Sequence, residues 1–191
     1  MIVYMPCAFD SPAYMRYNLK ERRPTRGRYT GKSRRGGRTR AGAMYMRKKL
    51  VIESATEADT RRAASELAQA LRNGDTVLLR GEMGSGKSVF ARGLAQAWGV
   101  AGHVTSPTFT IMQQYDGTRG RFYHFDLYRL SDPEELYAVG LDEYIGGDGL
   151  CAVEWPDNAL PPLDGAYEVY IERADGDGRR ITIIYPQEAA Q

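Results

Sequence analysis

Residues Thr76 to Ser88, TVLLRGEMGSGKS, constrain the fold of this chain more than any other stretch. Thr76 to Arg80 is a short aliphatic and β-branched run, the pattern of a buried strand. Gly81, Gly86, Lys87 and Ser88 then occupy every fixed position of G-x-x-x-x-G-K-[ST]. Phe90, Leu94 and Trp98 follow at i, i+4, i+8, the spacing of one helical face. A plain glycine turn before a surface helix is the blander reading. It is outweighed because all fixed positions match and the flanking order is strand, turn, helix.

The chemistry of such a stretch follows from its backbone. Successive N–H groups in a glycine turn converge into an anion nest, and the helix behind adds unpaired N–H groups and a positive dipole end. Gly84 and Gly86 let the chain approach phosphates with no Cβ in the way. The nucleotide-binding candidates here are therefore Glu82, Met83, Gly84, Ser85, Gly86, Lys87 and Ser88. Lys87 is expected to reach the β- and γ-phosphates, and the Ser88 hydroxyl to ligate Mg²⁺.

Charge divides the chain into two unlike parts. Residues 1–49 hold 14 Lys+Arg against 2 Asp+Glu, a net of +12, whereas residues 50–191 hold 12 against 22, a net of −10. Tyr17 to Arg40 is dense in Arg, Gly and Lys with almost no aliphatic side chains, so residues 1–49 read as a disordered basic extension. It fits a nucleic-acid-binding arm, a transit peptide, or text upstream of a true start at Met44 or Met46; the last is favoured. Residues 50–186 then form one domain, and 187–191 a frayed tail. Cys151 lies in an apolar run and reads as a buried free thiol, which fits a reducing, cytoplasmic setting. No apolar run approaches the ~20 residues that span a bilayer.

Along the body, Leu50 to Ser54 reads as a strand. Thr56 or Thr60 caps a helix with Ala63, Ala64, Leu67, Ala70 and Leu71 on one face, ended by Asn73-Gly74. After the phosphate loop and its helix, a Ser/Thr/Pro-rich loop leads to a strand over about Phe109 to Tyr115. Asp116-Gly117 reads as a turn, and Arg121 to Leu127 as the other half of a hairpin with a longish loop. Asp132-Pro133-Glu134-Glu135 starts a helix. Leu150 to Val153 is a buried strand, and Tyr167 to Glu172 and Arg180 to Tyr185 form a hairpin across Asp175 to Gly178.

A phosphate loop needs further acids. Asp126 closes the run Phe122, Tyr123, Phe125 and so stands at a strand's carboxyl end, where open α/β sheets bind ligands. It is the first candidate to hold Mg²⁺, against the plainer role of capping the next turn. Glu154 closes a second apolar strand and could orient or deprotonate the attacking water or complete the metal shell. The metal set is thus Ser88, Asp126 and Glu154, and the catalytic set Glu154, Asp126 and Lys87. Trp155 shields the site or is an ordinary aromatic. Thr105, Ser106 and Thr108 resemble a switch segment that phosphate and Mg²⁺ would order. His124 reads as a packed or hydrogen-bonded histidine rather than a base, and Arg129 as a salt-bridge partner or a phosphate anchor.

As a set, GEMGSGKS, SPTF at 106–109, HFDLYRL at 124–130, DPEEL at 132–136 and VEWP at 153–156 resemble the bacterial TsaE (YjeE) family. The resemblance runs from about Leu50 to Tyr185 and leaves residues 1–49 outside. It implies an α/β fold, a P-loop NTPase-like three-layer domain with a mixed sheet of about seven strands. It implies slow ATP hydrolysis with Mg²⁺, in the machinery that makes threonylcarbamoyladenosine in tRNA. The implied partners are TsaB- and TsaD-like proteins, with tRNA reached indirectly through the complex and no membrane. On matching positions, Lys87 and Ser88 bind phosphate and Mg²⁺, Asp126 is the Walker B-type acid, and Glu154 is the acid beside Trp155. Ser106 to Phe109 form the switch. Met83, Ser85 and Ser88 stand where Leu, Ala and Thr are usual, changes that keep the nest and the hydroxyl.

Two other classes compete. A small P-loop kinase would use Asp126 or Glu154 as the base for a substrate hydroxyl, but it usually carries an arginine-rich lid, and no arginines cluster after the switch here. A nucleic-acid binder would work through the basic extension, since the acidic body repels phosphates.

Overall fold

The computed structural model describes residues 47–107, 109–130, 135 and 140–187. Thr108, most of the helix expected from Asp132, residues 1–46 and residues 188–191 lie outside the described residues.

Seven strands form one sheet: β1 (Lys49–Ser54), β2 (Thr76–Arg80), β3 (Met112–Gly117), β4 (Gly120–Asp126), β5 (Gly149–Glu154), β6 (Tyr167–Arg173) and β7 (Arg179–Ile184). Their order is β1-β7-β6-β2-β5-β4-β3. The central four, β6, β2, β5 and β4, run parallel, and antiparallel pairs extend both edges. Parallel strands are buried on both faces, which explains the unbroken apolar text of β2 and β5.

Alternation along the strands divides the core. Val77, Leu79, Phe122, Leu150, Ala152, Val169 and Ile171 face α1 (Glu57–Ala68) and α2 (Lys87–Ala97). There they pack with Leu67, Phe90, Leu94 and Trp98, each burial worth roughly 1.5–3 kcal/mol. Leu78, Tyr123, Phe125, Cys151 and Val153 point the other way. Among the described residues they are covered by Leu127, Leu130, Leu141, Ala159 and Ala166, from loops and two short 3₁₀ turns.

Helices α1 and α2 begin differently. Thr56 caps α1 in a full capping box with Asp59, whereas Thr60 is buried and its hydroxyl meets Ser54 at 2.8 Å. The regular helix stops at Ala68, ahead of Asn73-Gly74, so Ala68 rather than Ala70 takes the last inward position. Helix α2 starts at Gly86 (φ 113°) with no side-chain cap, so its first N–H groups are available to something outside the helix. No helix among the described residues is long and apolar enough to cross a membrane.

The β3–β4 hairpin departs from expectation. The chain from Pro107 makes a turn first, with the Thr110 and Ile111 amides donating to Pro107 O and Ile111 at φ 64°, so β3 starts at Met112. Gly117 pairs with Gly120, leaving a two-residue loop, Thr118-Arg119, in place of a turn at Asp116-Gly117 with a longish loop. This tight turn sits on the end of α2: the Thr118 amide donates to Gly99 O and the Arg119 amide to Trp98 O. The Arg119 guanidinium stacks on Trp98 and donates to Ala68 O (2.8 Å) and Leu71 O (2.9 Å), tying the hairpin to the end of α1.

Cys151 is free and fully buried, its Sγ 3.2 Å from Tyr144 O. Burial pushes its thiol pKa up to about 12. Its thiolate is therefore scarce at any ordinary pH, and the native protein should leave Cys151 unalkylated by iodoacetamide at about pH 8, with labelling only after denaturation. Peptide mass spectrometry checks this; native labelling of Cys151 would mean that the strand opens readily.

Candidate functional site

The carboxyl ends of β2, β4 and β5 meet at one edge. Asp126 is the register partner of Glu154, and Glu154 that of Leu79, so strand pairing alone brings both acids beside the phosphate loop. Loop–strand bonds hold the edge: the Leu127 amide donates to Glu154 O, and that of Trp155 to Leu79 O.

The loop fits only because position 81 lacks a side chain. Gly81 has φ 143°, and a Cβ there would run into the Ile171 carbonyl of β6. Glu82, Met83 and Gly84 are exposed, while Ser85 is buried beneath the loop and its amide donates to Glu82 O. Lys87 is 4 % exposed, and its Nζ donates to Gly81 O (2.7 Å) and Glu82 O (2.8 Å). The Trp155 ring covers that amine at 3.8 Å. Burial lowers the Lys87 pKa, opposed by the nearby charges of Glu154 and Asp126.

Glu154 is 2 % exposed and held at both oxygens. Ser88 Oγ donates to Oε2 (3.1 Å), and His124 Nε2 donates to Oε1 (2.9 Å). The fully buried His124 leaves Nδ1 without a hydrogen bond. Asp126 is 5 % exposed; Ser106 Oγ donates to its Oδ2 (3.2 Å) and the Tyr128 amide to its Oδ1 (3.1 Å). Trp155, at φ 56°, packs against Tyr128 at 5.0 Å. Lys87, Ser88, Glu154, Trp155, Asp126 and Ser106 thus occupy one neighbourhood.

The other switch and anchor candidates lie differently. Thr105 Oγ1 donates to Gln113 on β3 (2.9 Å), turned toward the sheet edge. Thr108 is outside the described residues. Arg129 stacks over the Phe109 ring at 4.4 Å and makes no ion pair among the described residues.

No group of three His, Cys, Asp or Glu side chains that could hold a metal occurs among the described residues. The donors present are all oxygen: one hydroxyl bonded to one carboxylate, with a second carboxylate on the neighbouring strand. Such a set suits a hard cation that keeps several waters and takes its remaining ligands from phosphates.

Sequence reasoning missed two arginines. Arg173 and Arg179, at the ends of β6 and β7, bond to loop carbonyls of Met83 and Ser85. The strand-end placement of both was visible, but their nearness to the loop depends on β6 pairing with β2, which no local pattern encodes.

Comparison with known proteins bears on the family and the fold. The family model "Threonylcarbamoyl adenosine biosynthesis protein TsaE" matches residues 54–181. A Bacillus subtilis (strain 168) protein named tRNA threonylcarbamoyladenosine biosynthesis protein TsaE is 37% identical over 138 residues, 71% of this chain and 85% of its own. A Haemophilus influenzae protein of the same name is 41% identical over 111 residues, 56% of this chain and 68% of its own. The crystal structure of Bacillus subtilis YdiB superposes with a TM-score of 0.62 at 33% identity, covering 75% of this chain and 89% of that one. The chain has the P-loop α/β fold and belongs to the TsaE family.

Proposed function

We propose that this chain is a Mg²⁺-dependent ATP-binding and ATP-hydrolysing subunit required for threonylcarbamoyladenosine modification of tRNA. It acts as an ATP switch on TsaB- and TsaD-like partners in the cytoplasm and reaches tRNA through them. Residues 50–186 are the working ATPase domain. The observation that carries the reading is the pairing of Asp126 with Glu154 at the strand ends beside a glycine loop, with Ser88 hydrogen-bonded to Glu154. The names of the relatives supply the pathway.

In this reading the amides between Glu82 and Ser88, apart from that of Ser85, which is bonded to Glu82 O, grip the β- and γ-phosphates together with the Lys87 amine. Ser88, Asp126 and Glu154 would hold Mg²⁺, which supplies charge neutralisation at the phosphate oxygens. Glu154, oriented by His124 and Ser88, positions the attacking water and accepts its proton. Trp155 screens the Lys87 amine from bulk water and so strengthens its field. Ser106, bonded to Asp126, links the 103–109 loop to the state of the phosphate site.

The modification itself is the test. Depleting the protein in its host should lower threonylcarbamoyladenosine in bulk tRNA severalfold by nucleoside mass spectrometry, and re-expressing the full chain should restore it. Unchanged modification after depletion would overturn the proposed function.

A further inference from the structure

Five consecutive carbonyls of the phosphate loop, from Gly81 to Ser85, accept hydrogen bonds from cationic side chains. Lys87 takes the first two. Arg173 Nη2 donates to Met83 O (3.1 Å). Arg179 takes the last two, with Nε donating to Ser85 O (2.7 Å) and Nη2 to Gly84 O (3.4 Å). The remaining Arg179 nitrogen, Nη1, donates to Asp177 O (2.9 Å) and Gly178 O (2.7 Å) in its own turn. Arg179 has no ion pair among the described residues, so its guanidinium serves main-chain oxygens.

A trans peptide is a rigid plane with C=O and N–H on opposite sides. Pinning a carbonyl outward therefore aims the N–H of the next residue inward. Donors from outside the loop on Met83 and Ser85 fix the planes that carry the amides of Gly84 and Gly86, and the donor on Gly84 fixes the plane whose amide, that of Ser85, closes the loop's own turn onto Glu82 O. These planes are otherwise soft, since Gly84 and Gly86 sit at positive φ and tolerate many backbone angles. Oriented amides bind an anion without paying to reorganise at the moment of binding.

We infer that Arg173 and Arg179 on the β6–β7 hairpin are positioning residues: they set the peptide planes of the phosphate loop through its carbonyls and so preorganise its amides for phosphate. This rests on the proposed reading that the loop binds a nucleotide. Arg179 carries the larger share because it bridges two loop carbonyls and two carbonyls of its own turn. A lysine there keeps the charge but cannot form the planar fork.

The experiment pairs nucleotide titration with amide hydrogen exchange on the full chain. With a fluorescent ATP analogue and Mg²⁺, Arg179→Ala should weaken binding roughly tenfold, about 1.4 kcal/mol. Arg173→Ala should weaken it less, and Arg179→Lys should recover only part of the loss. Arg180→Ala is the charge control, since Arg180 sits on the same hairpin but pairs with Glu53; its affinity should not change. Without nucleotide, exchange of the Ser85 amide, which donates to Glu82 O, should accelerate in Arg179→Ala while β2 and β5 keep their protection. Full affinity in Arg179→Ala, full recovery by Arg179→Lys, or an equal loss in Arg180→Ala would overturn the inference. If the unmodified chain bound no nucleotide, the ATP reading would fall instead. The exchange of the Ser85 amide in Arg179→Ala would then decide the backbone role by itself.

Discussion

Lys87→Ala is expected to abolish nucleotide binding. The amine is buried, covered by Trp155, and tied to the first two carbonyls of the loop, so it sits where phosphate charge would collect. An ammonium held out of bulk water interacts with an anion far more strongly than a solvated one. Its removal also takes one donor from Glu82 O and the side-chain donor from Gly81 O, and so loosens the start of the loop. We expect the dissociation constant for an ATP analogue to rise at least about a hundredfold, roughly 2.7 kcal/mol. Any loss of fold stability should stay small beside the loss of affinity, because residues 82–84 of the loop are exposed and water can reach the carbonyls the amine leaves. Fluorescence titration beside a thermal melt checks both; affinity within a few-fold of the parent would exclude this lysine from the phosphate site.

Glu154→Ala should behave in the opposite way, binding nucleotide while losing turnover. The carboxylate is buried, and its two oxygens are claimed by Ser88 and His124, an arrangement that fixes its direction rather than its affinity for phosphate. A positioned acid or base contributes roughly 10²–10⁴ in rate, so single-turnover phosphate release should slow by about that factor. Alanine also leaves His124 Nε2 buried without an acceptor, at a cost of about 1–3 kcal/mol in stability. Glu154→Gln is the cleaner variant, because its amide oxygen can still accept from His124 while it can no longer take a proton. Ordinary turnover in Glu154→Gln would remove Glu154 from the chemistry and leave it as a structural anchor for Ser88.

Much of this was legible along the chain because the relevant physics is local. Six of the seven strands begin and end within one residue of the runs read for them, as expected when side-chain alternation and turn residues govern the boundaries. Asp126 and Glu154 were identifiable as strand-end acids, although only parallel pairing of β4 with β5 made them neighbours. The β3 strand was harder. Its alternation extends through Phe109, but the turn at Pro107 and the positive φ of Ile111 remove its first residues from the sheet. Likewise, Asp116-Gly117 has the composition of a turn, yet packing against Trp98 and Gly99 moves the turn to Thr118-Arg119.

The phosphate loop, the helix behind it and the two acids were determined by the sequence itself, because each depends on residue type and spacing within a dozen positions. Tertiary structure alone decided what supports them: His124 and Ser88 on Glu154, Trp155 over Lys87, and the arginines of β6–β7 against the loop carbonyls. These contacts join segments up to 95 residues apart. Which distant groups meet is set by the order and direction of strands in the sheet, a choice made by burial of the whole core rather than by any stretch of it.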